Sequence, residues 1–168
     1  MKRTRKGFTL LELLVVIAIM GIIGATGMIA GQEATSAAKA TAIAENIDKL
    51  ATAMMMFYSE NSTEVDRTGQ IGGEAVTAAI LAAGVNAYLK QANEIGSAAA
   101  ANTYFAAVGT EDGAAKTWWI GYQFGTSDGD VQAKRAMANK ATRMGLVTEA
   151  GGTTKFTAAS DELYMKVR

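Results

Sequence analysis

Glu12 is the side chain whose position most demands a chemical reason. It is a single carboxylate near the start of an apolar run over residues 8–30, FTLLELLVVIAIMGIIGATGMIA, and no charge follows it until Glu33. The 20 residues 13–32 are therefore uncharged. A charge inside such a run is costly if the run lies in hydrocarbon, so a chain needing only an apolar anchor has no use for it. Four cations, Lys2, Arg3, Arg5 and Lys6, stand just before the run. Further along, Thr126-Ser127-Asp128-Gly129-Asp130 sets two acids about a glycine, like part of a calcium loop. A shell of about six to eight oxygens needs more donors than this segment offers, and a turn leading into a helix cap explains it better. Lys134, Arg135, Lys140 and Arg143 form a basic cluster with no acid between Val131 and Thr148. It suits phosphates, a solvated helix face or acids on a neighbouring subunit, and the last two are the readings favoured here.

The chain has no histidine and no cysteine, which removes imidazole bases, thiol nucleophiles, the usual zinc sites and disulfides. No Asp, Glu, Ser or Lys constellation for catalysis is discernible. The sequence thus reads as a non-enzyme with no cofactor and no metal. Basic and acidic residues balance at 16 each. Setting aside residues 1–7, which hold four of the cations, leaves 12 against 16, a net charge of −4. No specific nucleic-acid partner is expected of a mildly acidic body.

These residues need elements to hold them. Residues 8 to about 59 read as one helix of ~52 residues, without proline, apolar all round in its first half. In its second half Ala40, Ile43, Ile47, Leu50, Met54 and Phe57 alternate at spacings of three and four, a single apolar stripe. Lys39, Glu45, Asp48, Lys49 and Thr52 fall off it. The segments are then 8–32, the membrane-spanning half; 33–60, the amphipathic half; and 61–168, a head. Gly24, Gly27 and Gly31 are the weak points of the helix, either for local melting over 24–31 or for close approach of neighbouring helices. Asn61-Ser62-Thr63 breaks the pattern and matches a weak glycosylation triplet. Residues 68–73 read as a glycine loop, 74–92 as a second helix with Gly84 as a flaw, 103–108 and 117–124 as strands around a turn at 109–113. Residues 130–143 read as a short helix ended by Gly145, and 146–148, 153–157 and 163–167 as further strands. Trp118 and Trp119, neighbours on a strand, should point to opposite faces. Met54-Met55-Met56 should fill gaps beneath the sheet. The fold class is α+β.

The string Gly7-Phe8-Thr9-Leu10-Leu11-Glu12-Leu13, after a Lys/Arg leader and before an apolar helix, resembles the signal of type IV pilins and their relatives. The resemblance covers the first 30 or so residues. It implies the pilin fold, a long N-terminal α-helix packed against a small antiparallel β-sheet head. It also implies that a prepilin peptidase cuts between Gly7 and Phe8, removing the leader 1–7, and that Phe8 is then N-methylated. Gly7, lacking a Cβ, lets a protease approach the backbone closely. Lys2, Arg3, Arg5 and Lys6 would keep the leader cytoplasmic by the positive-inside rule. The implied product waits in the inner membrane as a single-pass protein. Inner-membrane assembly machinery then moves it into an extracellular helical homo-oligomer serving adhesion, motility or secretion. Glu12 is the assembly residue, neutralised by the free Phe8 amine of an adjacent subunit.

The chain departs from the family in two places: many members close a C-terminal loop with a disulfide, and many hold a proline where Ile29 stands here. A pseudopilin of type II secretion or a competence pilin carries the same signal, although major pseudopilins usually keep that proline and a calcium-binding C-terminal loop. A secretory signal cut near Ala25-Thr26-Gly27 or Ala30-Gly31-Gln32, or a tethered domain that never polymerises, also fits a basic leader and an apolar run. Neither alternative explains Gly7-Phe8 together with Glu12.

Overall fold

With no proline to interrupt it and abundant alanine to favour it, the N-terminal sequence forms one helix, α1 (Leu10–Thr68), of 59 residues in this computed structural model. The structure describes residues 8–89, 94–111 and 115–168; side chains at 26–30, 32, 110 and 111, 115 and 116 also fall outside the description. The leader residues Lys2, Arg3, Arg5, Lys6 and Gly7 therefore lie outside the described residues, as does part of the turn expected at 109–113. The chain divides into two units, residues 1–35 and 36–168.

In the first unit the helix runs unbroken through Gly24, Gly27 and Gly31, where a melted stretch was one expectation for the filament. A Cβ added at Gly24 or Gly31 would meet open space, so neither glycine is required by packing within the single chain. That leaves close approach by other helices as a use for them. Among the described residues no helix is long and apolar enough to cross a membrane. The span expected over residues 8–32 includes 26–30 and 32, whose side chains are outside the description.

In the second unit α1 ends at Thr68, nine residues later than the sequence suggested. The polar residues read as breakers are absorbed by bonds back to their own helix. Asn61 Nδ2 donates to the Phe57 carbonyl (2.8 Å), Ser62 Oγ to that of Ser59 (3.1 Å) and Thr68 Oγ1 to that of Glu64 (2.8 Å). The glycosylation triplet thus sits inside a helix with its amide engaged. Gly69, at φ +66, ends the helix by donating its N–H to Val65 (2.8 Å).

A small hairpin follows, β1 (Gln70–Ile71) and β2 (Glu74–Ala75), turned by Gly72 and Gly73 at positive φ. This replaces the first part of the helix expected over 74–92. Thr77 then accepts from the Ile80 N–H and starts α2 (Ala78–Asn86). Gly84, expected to be a flaw, is a notch: a Cβ there would lie 2.4 Å from the Phe57 ring. Past Asn86 the expected helix gives way to a turn through Leu89, and its last residues, 90–92, lie outside the described residues.

The main sheet has five strands: β3 (Ile95–Gly96), β4 (Thr103–Glu111), β5 (Ala115–Gln123), β6 (Leu146–Val147) and β7 (Glu162–Lys166). Their order is β3-β4-β5-β7-β6. All pairs are antiparallel except β3 with β4, which are parallel with Ile95 opposite Tyr104. The sheet is therefore mixed at one edge, not wholly antiparallel. Asn86 fixes this edge from the end of α2, donating to the Ile95 carbonyl (2.9 Å) and accepting its N–H (3.2 Å). Residues 153–157 supply only a bridge between Val147 and Lys155, not a strand.

Between β5 and β6 lies α3 (Asp128–Met144), with Gly145 at φ +66 closing it. The buried stripe Ala40, Ile43, Ile47, Leu50 and Met54 of α1 shares one core with Trp118, Ile120 and Tyr122 of β5, Leu163 of β7 and Met137 of α3. This α+β arrangement fits the pilin fold. Trp118 meets Tyr58 edge-on (centroids 5.4 Å), whereas Trp119 on the other face bonds Thr117 Oγ1 (2.6 Å) beside Gly109. Of the methionine triplet only Met54 is buried; Met55 and Met56 are 54% and 52% exposed. Consecutive helical residues stand ~100° apart and cannot share a face.

Candidate functional site

The residues singled out at the start of the chain meet at the beginning of α1. Phe8 and Thr9 precede the helix, Leu10 opens it and Glu12 occupies its third position. Thr9 N donates to Glu12 Oε2 (2.9 Å) and Thr9 Oγ1 to the same oxygen (3.0 Å), while Glu12 N donates to Thr9 Oγ1 (3.2 Å). This is a capping box, satisfying N–H groups that a helix start leaves without partners. The spacing Thr-x-x-Glu was present in the sequence, and this local use of Glu12 was overlooked there. Both bonds fall on Oε2, and among the described residues no cation meets the carboxylate.

Around this acid the helix is bare. Phe8 is 88% exposed and Leu10 85%, and Leu11, Leu13, Leu14, Val15, Val16, Ile17, Ile19 and Met20 are exposed as well. Contiguous apolar surface of this extent marks a site of contact with lipid or protein. From Leu10 to Ala25, Glu12 is the one polar side chain in the sequence.

A second acid sits in the same local device with different surroundings. At the start of α3, Ser127 N and Oγ donate to Asp130 Oδ2 (3.2 and 2.7 Å), and Asp130 N donates to Ser127 Oγ (3.3 Å). Asp130 is only 1% exposed, and its other oxygen, Oδ1, takes an ion pair from Lys39 of α1. Asn102 completes the cluster: its Oδ1 accepts from Lys39 Nζ (3.2 Å) and from the Tyr122 hydroxyl (3.1 Å). Burial pushes the Asp130 carboxyl up, but hydrogen bonds from Lys39 and Ser127, with the Lys39 charge, outweigh it and hold it at about 2. Burial, with Tyr104 and Asp130 nearby, pushes Tyr122 up to about 12, so it remains a donor. A Cβ at Gly125 would stand 2.4 Å from Asp130 Oδ2, so this close approach requires glycine.

The calcium-like segment 126–130 is thus a helix cap tied to α1. Among the described residues no group of three acidic side chains is placed to hold a metal. The basic cluster divides. Lys134 pairs with Asp161 (2.7 Å) and Lys140 donates to Thr41 Oγ1 (2.8 Å), leaving Arg135 and Arg143 exposed.

Residues 2–28 match the model of the prokaryotic N-terminal methylation motif. The chain therefore carries the type IV prepilin signal, found in precursors of type IV pilin-like proteins and pseudopilins. No curated protein and no solved structure matches the chain.

Proposed function

We propose, from that signal, that the chain is a structural subunit of a type IV pilus, a pilin and not a catalyst. A prepilin peptidase cuts between Gly7 and Phe8, and the new Phe8 amine is methylated. Residues 8–32 hold the subunit in the inner membrane as a single pass, with Lys2, Arg3, Arg5 and Lys6 on the cytoplasmic side until the leader is lost. Assembly moves this segment from lipid into a bundle of like helices. That exchange gains little hydrophobic energy, since lipid tails are as apolar as leucine, so packing and charge must guide it. Once outside, exposing the same surface to water costs ~25 cal/mol per Å², which keeps the filament together.

The observation that carries this reading is the combination of an exposed apolar helix with one acid at its start that meets no cation among the described residues. Glu12 spends one oxygen on its own cap. In a staggered bundle the amine of Phe8 from an adjacent subunit supplies the missing charge, and a lone charge in a low-dielectric bundle is tolerated only when paired.

Shearing cells and analysing the released protein by N-terminal sequencing and intact mass tests both cut and polymer. The expected product begins at a methylated Phe8 and pellets as filaments. Material that begins elsewhere, keeps the basic leader or stays wholly with membranes overturns the proposal. The last outcome identifies a tethered domain.

A further inference from the structure

Two arginines stand out on the exposed side of α3. Among the described residues neither Arg135 nor Arg143 makes an ion pair or a hydrogen bond, whereas Lys134 and Lys140 of the same helix are engaged. Two turns, ~12 Å, separate them on the exposed side of α3, where Val131 is also exposed. The second unit holds a surface of opposite sign. Glu45 and Asp48 of α1 are exposed, away from the buried Ile47 and Met54 and one turn from each other, and among the described residues neither forms an ion pair. Lys49, the nearest base, is turned to Asn46 Oδ1 (3.4 Å). Farther along this face stand the exposed Met55 and Met56.

We infer that the Arg135/Arg143 face of α3 docks on the Glu45/Asp48 face of α1 in a second copy of the chain. This rests on the pilus reading and names a contact for it outside the apolar helix. Neither face can meet itself, because like charges repel. The pilus reading takes the contact head to tail, and a head-to-tail contact that does not close into a ring propagates as a helical polymer. Placing opposite charges across the contact sets register and excludes other pairings more than it adds affinity. Nucleic acid is the competing partner for two arginines, and the net charge of −4 without the leader opposes it.

The test is a charge swap in the full-length protein in its own cells. Arg135→Glu/Arg143→Glu and, separately, Glu45→Lys/Asp48→Lys should each lower sheared filament yield roughly fivefold. The processed membrane pool should stay at its normal level, which reports that the subunit folds and is cut. All four changes together should restore at least about half the normal yield, since the signs are complementary again. Undiminished yield in either double variant overturns the contact, and so does failure of the fourfold variant with a normal membrane pool. If Arg135→Gln/Arg143→Gln filaments form normally but retain less added DNA, the arginines serve nucleic acid and the inference is wrong. Absence of sheared polymer from the unaltered protein would remove the pilus reading and this contact with it. Normal polymer with indifferent variants removes the contact alone.

Discussion

At the start of α1 and again at the start of α3, a hydroxyl residue and an acid three positions later exchange the same three hydrogen bonds. Thr9 and Glu12 do so at 2.9–3.2 Å, Ser127 and Asp130 at 2.7–3.3 Å. In both boxes a single carboxylate oxygen serves the cap. The difference lies in what is offered to the rest of the acid. Asp130 is buried and finds Lys39 and the Asn102 cluster within its own unit. Glu12 is exposed among leucines with no cation among the described residues. A cap explains why an acid stands at a helix start. It does not explain why that acid belongs in an otherwise apolar segment, and the comparison isolates this second requirement.

The largest expected effect is on Glu12. Glu12→Ala should leave leader removal intact and lower filament yield roughly a hundredfold, read as sheared subunit against the processed membrane pool. Glu12→Gln sharpens the comparison, because its amide oxygen can still accept from Thr9 while the charge is gone. It should assemble nearly as poorly as the alanine variant. Wild-type yield from Glu12→Gln would reduce Glu12 to a cap like any other.

Removing the other acid should act on stability. Asp130→Ala strands Lys39 and Asn102 and should cost about 2–3 kcal/mol in denaturant unfolding of the purified chain. A smaller effect follows from protonating Asp130. Its pKa is about 2 in the folded protein against 3.8 for the ordinary group, so its stabilisation is complete above about pH 4. That contribution, on the order of 1–2 kcal/mol given the partly exposed Lys39, is lost as the pH falls from 4 to 2, and Asp130→Asn should flatten this part of the stability profile. The smallest effect is reserved for Thr9→Ala, which removes the hydroxyl of the exposed box. Filament yield should remain within about twofold of normal if the charge of Glu12 matters more than its cap.

Much of this was legible in the sequence because it depends on local periodicity. The stripe from Ala40 to Met54, the strand pair around residues 103–124, and the Gly145 stop each follow from spacing or backbone demand. What escaped depends on partners distant in sequence. Lys39 falls off the apolar stripe, as a surface residue would, yet it reaches Asp130 across 91 positions. The parallel edge strand β3 is two residues long and is held by Asn86, so it has no pattern of its own. The polar triplet at 61–63 looked like a break because side-chain bonds back to the helix leave no periodic trace. At the candidate site the acid stood out by its apolar setting, while its cap was legible in Thr9-x-x-Glu12 and overlooked.

The absence of cysteine has a mechanical consequence for the second unit. Tension drawn along α1 reaches α3 through Lys39–Asp130 and Lys140–Thr41, and the sheet through the packing of Met54 and its neighbours, all of them noncovalent. Under load these ties can yield one after another and re-form when the pull is released. No crosslink stands in reserve, and none has to be repaired.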